Sequence, residues 1–248
     1  MSVLECFSLA HKTIVVTGGE GRLGQQWCRA IREAEGVAVS VDLHDYGRAT
    51  ANRVFTTDIT VEGFVYDTLA EILAINGRVD GLVNAAAFNP SPEQRAGDRD
   101  WDQQLAVSLT GAQYCIEACG NVMVRQGSGV IVLIGSDLSL LGPTPHLYAG
   151  QTMKPAHYSV AKHGVIGLMR YYAMQWAKTG VRVNALCPGA VDFGDMTPEF
   201  RAQLEVLIPM GRTARPNDYD GALVFLLSDA SRYMTGSVLV VDGGRTCW

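Results

Sequence analysis

Three polar residues in the second half of the chain are of types that can move a proton at a hydroxyl or carbonyl group. In HYSVAKHG (157–164), Tyr158 and Lys162 stand four residues apart, so on a helix they share one face. A free tyrosine has a pKa of about 10, and a neighbouring ammonium favours the phenolate and lowers that pKa towards a useful range. Ser136 ends an apolar stretch, and its hydroxyl could hydrogen-bond a substrate oxygen that gains negative charge. Together these residues predict acid–base chemistry, although each one alone also fits an ordinary helix position or helix cap.

A glycine-rich turn near the start of the chain, TGGEGRLG (17–24), could hold a phosphate group. Glycines let the backbone approach a pyrophosphate, and the helix that follows offers free N–H groups to an anion. Asp42 ends the next strand, where a carboxylate can bind both ribose hydroxyls of an adenosine and repel a 2′-phosphate. These features predict a dinucleotide site with NAD as the cofactor and NADP as the less favoured one, although Arg22 is a cation that could assist a 2′-phosphate. Taken alone, the turn also fits a plain strand–helix connection, and Asp42 a solvated strand end.

The elements that must position these residues alternate between short apolar strands and longer helices. Strands are predicted at 13–17, 37–42, 53–58, 81–87, 129–136, 181–189 and 237–244. Helices are predicted at 23–36, 65–77, 101–127 (one long helix or two joined ones), 157–180 and 218–229. Near-continuous apolar strands between helices are typical of a parallel sheet covered on both faces.

The predicted fold class is therefore α/β, a doubly wound parallel sheet of the Rossmann type with about seven strands, in a single domain spanning residues 1–248. Two stretches, 137–156 and 190–215, contain Pro, Gly and polar residues and fit no element. Both would follow the carboxyl ends of strands, where ligands bind in such sheets, so they are expected to be substrate loops.

Composition limits the classes of function. The chain has 248 residues, of which 48% are hydrophobic and 18% charged, so it can bury a large core. A net charge of -5 argues against a nucleic-acid binder. No apolar run reaches the roughly 18 residues of a membrane span, and no secretory signal pattern is present, so we expect a soluble cytoplasmic protein. The cysteines form no CxxC pair and the histidines no HExxH motif, so neither a disulfide framework nor a metal site is expected.

Several motifs, in this order, resemble those of the short-chain dehydrogenase/reductase (SDR) family over essentially the whole chain. TGGEGRLG resembles the family's TGxxxGxG turn, NAAA (84–87) its NNAG strand end, CPGAV (187–191) the segment beside the nicotinamide, and VDGG (241–244) its final strand. Asp58 with Ile59 resembles the pair that contacts adenine. The resemblance implies that NAD is bound by residues Gly18, Gly21, Arg22, Leu23, Gly24, Asp42, Leu43, Asp58, Ile59, Asn84, Ala85, Ala86, Tyr158, Lys162, Pro188, Gly189 and Val191.

The catalytic residues also follow from this resemblance, because Ser136 matches the family's serine and Tyr158 with Lys162 its YxxxK pair. The implied reaction is a hydride transfer between NAD(H) and a small-molecule alcohol or carbonyl substrate. Tyr158 would exchange the hydroxyl proton, Lys162 would lower its pKa and hold the nicotinamide ribose, and Ser136 would orient the substrate oxygen. Ser108 is a possible fourth catalytic residue, since it stands where many members carry the asparagine of a water-mediated proton relay.

Other positions depart from the family's pattern. Arg22 stands where the second glycine of the turn is usual, so its side chain could reach the cofactor or a loop. Tyr158 follows Ser136 by 22 positions, a longer gap than usual, and the extra segment near HLYAGQTMKP should form part of the substrate wall. Phe88, Leu138, His146 and Phe193 could give the pocket mixed polarity, although His146 fits a solvated loop residue better.

Two alternatives remain open beside an active dehydrogenase. One is a non-catalytic NAD-binding protein of the same fold. The other is a different sugar-pathway enzyme on this scaffold, since the insertion and the terminal VDGGRTCW are similar to members of nonulosonate-sugar pathways. Family members commonly assemble through helices equivalent to 101–127 and 157–180, so we expect a homotetramer, with a dimer as the second choice.

Overall fold

Seven parallel strands form one sheet in the computed structural model, which describes residues 2–88, 98–148 and 153–248. The strands are Thr13–Thr17 (β1), Val37–Asp42 (β2), Arg53–Thr56 (β3), Gly81–Asn84 (β4), Gly129–Ile134 (β5), Val181–Pro188 (β6) and Val238–Val241 (β7). Their order across the sheet is β3-β2-β1-β4-β5-β6-β7. The direction of winding reverses between β1 and β4, and such a reversal opens a crevice at the carboxyl ends of the strands. The predicted doubly wound parallel sheet is confirmed.

Helices cover both faces of this sheet. Their bounds are Arg22–Glu33 (α1), Glu62–Asn76 (α2), Asp98–Leu105 (α3), Ala112–Gln126 (α4), Ala156–Trp176 (α5), Pro198–Leu207 (α6) and Asp220–Leu227 (α7). Buried side chains of α2, α4 and α5 pack against one face of the sheet, and those of α1 and α7 pack against the other. Two buried faces explain why the strands read as apolar runs with little alternation.

The predicted 101–127 helix consists of two helices joined by a π-helical segment, Ala106–Gly111. The sequence left one long helix and two joined helices open, and the second alternative is correct. Gly111 ends this segment against Ile59, because a Cβ on the glycine would lie 2.9 Å from both Cγ1 and the carbonyl oxygen of Ile59. The close approach explains a glycine at this point in the helix.

Residues 190–215 do not form an irregular stretch throughout, as the sequence analysis expected. They include α6, whose start carries two helix signals: the Thr197 side chain accepts a hydrogen bond from the Phe200 N–H at 3.2 Å, and Pro198 occupies the first turn. Several predicted strands are also too long at their carboxyl ends. The strand predicted at 53–58 ends at Thr56, and the strand predicted at 81–87 ends at Asn84.

Over the described ranges, no helix combines the length and apolarity that crossing a bilayer requires, and no three His, Cys, Asp or Glu side chains group as metal ligands.

Candidate active site

A cleft of about 830 Å³ is lined by the residues that directly follow β1, β4 and β5. It brings together all the predicted site residues except Asn84 and Ser108. The predicted residues that line it are Gly18, Gly21, Arg22, Leu23, Gly24, Asp42, Leu43, Asp58, Ile59, Ala85, Ala86, Ser136, Tyr158, Lys162, Pro188, Gly189 and Val191. The dinucleotide motifs and the catalytic motifs therefore share one site.

The glycine-rich turn leaves room in the cleft for a backbone-bound group. Gly18 has φ +68°, and a Cβ there would lie 2.8 Å from the Ala86 Cα. A Cβ on Gly24 would lie 2.0 Å from the Gly18 carbonyl oxygen, so α1 can approach the turn only with glycine at this position. No side chain caps the first turn of α1, so its N–H groups suit an anion such as a pyrophosphate.

Asp42 is held at the opposite side of this turn by two backbone amides. Its Oδ2 accepts a hydrogen bond from the Glu20 N–H at 2.9 Å, and its Oδ1 accepts one from the Leu43 N–H at 2.7 Å. The carboxylate is thereby fixed between β2 and the glycine turn. Glu20 is also among the residues that line the cleft, but its side chain is buried, and neither carboxylate oxygen has a hydrogen-bond partner among the described residues.

Arg22 reaches across the cleft to the segment after β6. Its Nη1 donates to Asp195 Oδ2 at 2.9 Å, and its guanidinium carbon lies 3.9 Å from the centroid of the Phe193 ring. Of the two expectations for Arg22, contact with a loop is the one seen here. The guanidinium is thus engaged with a carboxylate and an aromatic ring.

Ser136, Tyr158 and Lys162 converge at the carboxyl end of β5. Ser136 comes two residues after the strand ends, and its side chain hydrogen-bonds that of Tyr158. Tyr158 and Lys162 lie one turn apart on α5, with the Lys162 Nζ 5.9 Å from the centroid of the tyrosine ring. The Lys162 Nζ donates to the Ile134 carbonyl oxygen at 2.8 Å, which ties α5 to β5.

Burial controls the acidity of this group. Burial raises the pKa of Tyr158 to about 12, and the nearby Asp137 and Tyr148 also raise it, while the hydrogen bond with Ser136 lowers it. Burial lowers the pKa of Lys162 to about 8. The net direction for Tyr158 is opposite to the expected depression, because the cost of charging a buried phenol outweighs the stabilisation of the phenolate.

Two predicted residues do not line the cleft. Asn84 is buried, and its Oδ1 accepts a hydrogen bond from the Thr17 hydroxyl at 3.1 Å, which links β1 to β4. Ser108 is buried in the π-helical segment, and its hydroxyl oxygen accepts a hydrogen bond from Gln104 Nε2 at 2.7 Å. The structure therefore gives Ser108 a partner in its own helix and no position on the cleft wall.

The insertion before α5 contributes to the wall of the cleft, as expected. Leu147, Tyr148 and Lys154 line it, and the Lys154 Nζ lies 4.7 Å from the centroid of the Tyr158 ring. Residues 149–152 of the same insertion lie outside the described residues. Phe88, Leu138 and Phe193 line the cleft, whereas His146 is exposed on the loop and does not line it, which agrees with the favoured interpretation of a solvated loop residue.

Sequence reasoning missed several charged residues of the cleft, among them Glu20, Asp137 and Arg245. Asp137 directly follows Ser136, and a carboxylate at the buried end of a central strand is a signal that could have identified it. The sequence signal for Arg245 was weaker: it is a cation that follows two glycines. The strand pattern does not show that the turn after β7 folds back towards the cleft.

Comparison with known proteins agrees with this geometry. A family model described as enoyl-(acyl carrier protein) reductase matches residues 30–246. Galactitol 2-dehydrogenase (L-tagatose-forming) of Cereibacter sphaeroides is 33% identical over 258 aligned positions, which cover 98% of each chain. The structure of a gluconate 5-dehydrogenase from Burkholderia cenocepacia in complex with NADP and tartrate matches with a TM-score of 0.88 and 27% identity over 100% of both chains.

A third match is a short-chain dehydrogenase from Leptospira borgpetersenii with bound NAD+, with a TM-score of 0.85 and 25% identity over 99% of this chain and 96% of that one. The related structures thus include one with NADP and one with NAD+. The matches extend over nearly the whole chain and agree with the parallel sheet and its cleft. This chain belongs to the short-chain dehydrogenase/reductase family.

Proposed function

We propose that this protein is an NAD-dependent dehydrogenase that interconverts a hydroxyl and a carbonyl group on a small polyhydroxylated substrate. The observation that carries the proposal is the convergence of Ser136, Tyr158 and Lys162 on a cleft that also contains the glycine turn and Asp42. One cleft then offers a place for a dinucleotide and an acid–base group for the substrate. When bound, the nicotinamide would supply or accept the hydride.

Tyr158 exchanges the proton of the substrate oxygen in this proposal. With a pKa near 12, its phenol is protonated at neutral pH and can donate to the oxygen of a carbonyl substrate. In the oxidative direction it must first lose this proton, so oxidation is expected to accelerate as the pH rises above neutral. Ser136 orients the substrate oxygen, and Lys162 holds the cofactor ribose and favours the phenolate by its charge.

The preference for NAD rests on negative charge beside the glycine turn. Asp42 is fixed there by the backbone amides of Glu20 and Leu43. The Asp42 carboxylate can accept ribose hydroxyls and would repel a 2′-phosphate. Arg22, the cation that could have opposed it, is paired with Asp195.

The substrate class is supported by the related proteins and by the polar character of the pocket. The galactitol 2-dehydrogenase named above acts on a polyol, and the gluconate 5-dehydrogenase on a sugar acid. Around Tyr158 the cleft carries Lys154, Asp137 and Arg245, which are suited to hydroxyl-rich ligands. We expect polyols and their ketose products to be the first substrates to show turnover.

The direct test follows NADH absorbance with NAD and a panel of polyols that includes galactitol and xylitol, and with ketoses in the reverse direction. Tyr158→Phe should reduce turnover by about 10²- to 10⁴-fold, the contribution typical of general acid–base catalysis, because it removes the hydroxyl group that exchanges the proton and keeps the aromatic ring. NADH binding, measured by fluorescence, should be unchanged in this variant. A Tyr158→Phe protein with near wild-type rates would contradict the assignment, and NADH binding without turnover of any substrate would favour the non-catalytic alternative.

We also propose that the protein acts as a homotetramer. The expected contact helices leave large side chains on the surface, since Tyr171 is 64% and Met174 80% exposed on α5. Exposed apolar groups on one helix are typical of an interface.

A further inference from the structure

The first residue of α1 carries a cationic side chain across the cleft. Arg22 follows the glycine turn directly, and both of its partners, Phe193 and Asp195, belong to the segment after β6. All three residues line the cleft, and strands β4 and β5 lie between β1 and β6 in the sheet. Because neighbouring strands lie about 4.8 Å apart, β1 and β6 are separated by about 14 Å. The contact therefore spans the carboxyl ends of β4 and β5.

This contact combines an ion pair with a stacked ring and lies on the solvent side of the cleft. Arg22 Nη1 is 2.9 Å from Asp195 Oδ2, and the side chains are 54% and 63% exposed. The hydrogen bond from Arg22 lowers the pKa of Asp195, so the carboxylate is ionised at neutral pH. A planar guanidinium can pair with a carboxylate and stack on the Phe193 ring at the same time. Exposed contacts of this kind are weak enough to open and close.

The segment that carries Phe193 and Asp195 is fastened to α6. Asp192 Oδ1 accepts a hydrogen bond from the Gly194 N–H at 2.7 Å, and Asp192 Oδ2 forms an ion pair with Arg201 of α6. A movement of Asp195 away from α1 is thereby passed on to the helix.

Helix α6 shares a small hydrophobic cluster with the insertion before α5. Leu147, Leu204 and Ile208 are buried together, and none of them belongs to the two clusters that pack on the sheet. A separate cluster of this size can open at a lower free energy than the main core. We call these two segments, residues 145–148 and 192–208, the cap.

We propose that Arg22 holds the cap closed over the bound dinucleotide, so that the cofactor enters and leaves only while the contacts of Arg22 with Phe193 and Asp195 are broken. This inference rests on the proposed function, because it needs a dinucleotide in the cleft. A dinucleotide that extends from the glycine turn to Tyr158 would cross the ends of β4 and β5, which are the ends that the Arg22 contact spans. The glycine that is usual at this place in the family's turn could not make the contact.

A direct role for Arg22 as a ligand of the pyrophosphate predicts different results. If the contact only holds the cap closed, its loss in Arg22→Met or in Asp195→Asn should raise the association and dissociation rates together and leave the Kd nearly unchanged. If Arg22 bound the pyrophosphate, Arg22→Met should weaken cofactor binding. Asp195→Asn should then strengthen it, because the guanidinium would be released for the phosphates.

The test measures both rates by stopped-flow fluorescence of NADH, with dissociation followed after excess NAD is added. Both rates should rise about tenfold in Arg22→Met, since an exposed ion pair and an exposed cation–π contact each contribute up to about fivefold. Asp195→Asn keeps the ring contact and should raise both rates about threefold. Arg22→Lys keeps the charge and loses the planar group, so its rates should lie between those of the wild type and Arg22→Met.

Arg29→Met is the matched control, because Arg29 is exposed on the same helix, hydrogen-bonds Gln26 and does not line the cleft. It should leave both rates unchanged. High salt should accelerate dissociation from the wild-type protein more than from Asp195→Asn, because it screens an ion pair that the variant lacks.

A second measurement uses the cofactor-free protein. Amide hydrogen exchange of peptides from residues 192–208 should be faster in Arg22→Met and Asp195→Asn than in the wild-type and Arg29→Met proteins. Affinity changes of opposite sign in Arg22→Met and Asp195→Asn, or dissociation at the wild-type rate in either, would overturn the proposal while NADH binding itself is retained. A protein that binds neither NADH nor NADPH would instead contradict the proposed function, and this inference with it.

Discussion

Lys162 is a buried charge that the fold itself does not favour. Its pKa of about 8 in the folded protein lies below its ordinary value of 10.5. Below pH 8 the lysine is charged in both states, so the folded protein bears the full cost of burying it. Between pH 8 and 10.5 the unfolded chain binds more protons than the folded one, so this part of the stability returns as the pH rises.

Lys162→Met should therefore stabilise the protein at pH 7 while it abolishes activity. The gain is expected to be about 2 kcal/mol, since the shift corresponds to roughly 3 kcal/mol and the hydrogen bond to Ile134 offsets about 1 kcal/mol of it. Urea unfolding at pH 7 and pH 10 measures this gain, which should shrink at the higher pH. Lys178→Met at an exposed lysine is the control and should change stability by less than about 0.5 kcal/mol. A destabilised Lys162→Met protein at pH 7 would contradict the burial argument.

Asp42 is the residue at which cofactor choice can be tested. Asp42→Ala removes the carboxylate that the Glu20 and Leu43 amides hold in place, so the NAD-to-NADP ratio of kcat/KM should fall, by roughly tenfold for each 1.4 kcal/mol of lost discrimination. The isosteric Asp42→Asn retains hydrogen-bonding atoms without the charge and separates repulsion from geometry. An unchanged ratio in both variants would remove the argument for NAD.

At the scale of elements, the packing of α4 on α5 depends on a missing side chain. A Cβ on Gly120 would lie 2.1 Å from Cη2 of Trp176, whose indole is buried between the helices. Gly120→Ala should thus destabilise the protein by about 1–3 kcal/mol through overpacking, as measured by urea unfolding. Gly63→Ala on α2 is the matched control: no atom lies within 4 Å of its Cβ position, so it should be neutral or stabilising by up to about 1 kcal/mol. Equal effects of the two substitutions would show that helix propensity, rather than the contact with Trp176, decides the outcome.

The strands were the most predictable elements, because a strand buried on both faces must be apolar throughout. β1, with all its residues buried, was predicted to the residue. The predicted strands that overran did so at their carboxyl ends, where Ala85 and Gly135 continue the pattern of small or apolar residues but line the cleft instead. Helix α6 was missed because its start signals, Thr197 and Pro198, were interpreted as loop residues.

The site was predictable where local spacing determines geometry, and unpredictable where distant segments meet. Tyr158 and Lys162 are one helical turn apart, so their proximity follows from the sequence alone. Arg245 and Asp137 are 108 residues apart in sequence, and their contact depends on how the turn after β7 folds back. The direction of the Tyr158 pKa shift was mispredicted for a related reason. The effect of the Lys162 charge can be inferred from a spacing of four residues, whereas the burial that raises this pKa depends on the whole fold.

At the scale of the whole molecule, the prediction concerns assembly. Light scattering should give a mass four times the 26.7 kDa of one chain. A mass twice that of one chain would indicate the dimer, which is the second choice. Replacing Tyr171 and Met174 together by arginine should lower the mass, because two charges would be buried at an apolar interface. Phe64→Arg on α2 is the control, since Phe64 is also exposed but lies outside the expected contact helices. A single-chain mass for the wild-type protein would rule out the proposed tetramer.

The π-helical segment between α3 and α4 affects which side chains line the cleft. A π-helical turn holds one residue more than the regular hydrogen-bond pattern allows. Deleting one residue there would give a better-bonded helix, yet α3 would be rotated by about 100° relative to α4. Gln103, which lines the cleft from α3, would then point elsewhere. The additional residue thus fixes the rotation of α3 relative to α4. The gain or loss of a single residue here would change which side chains of α3 line the cleft, while the sheet would keep its structure.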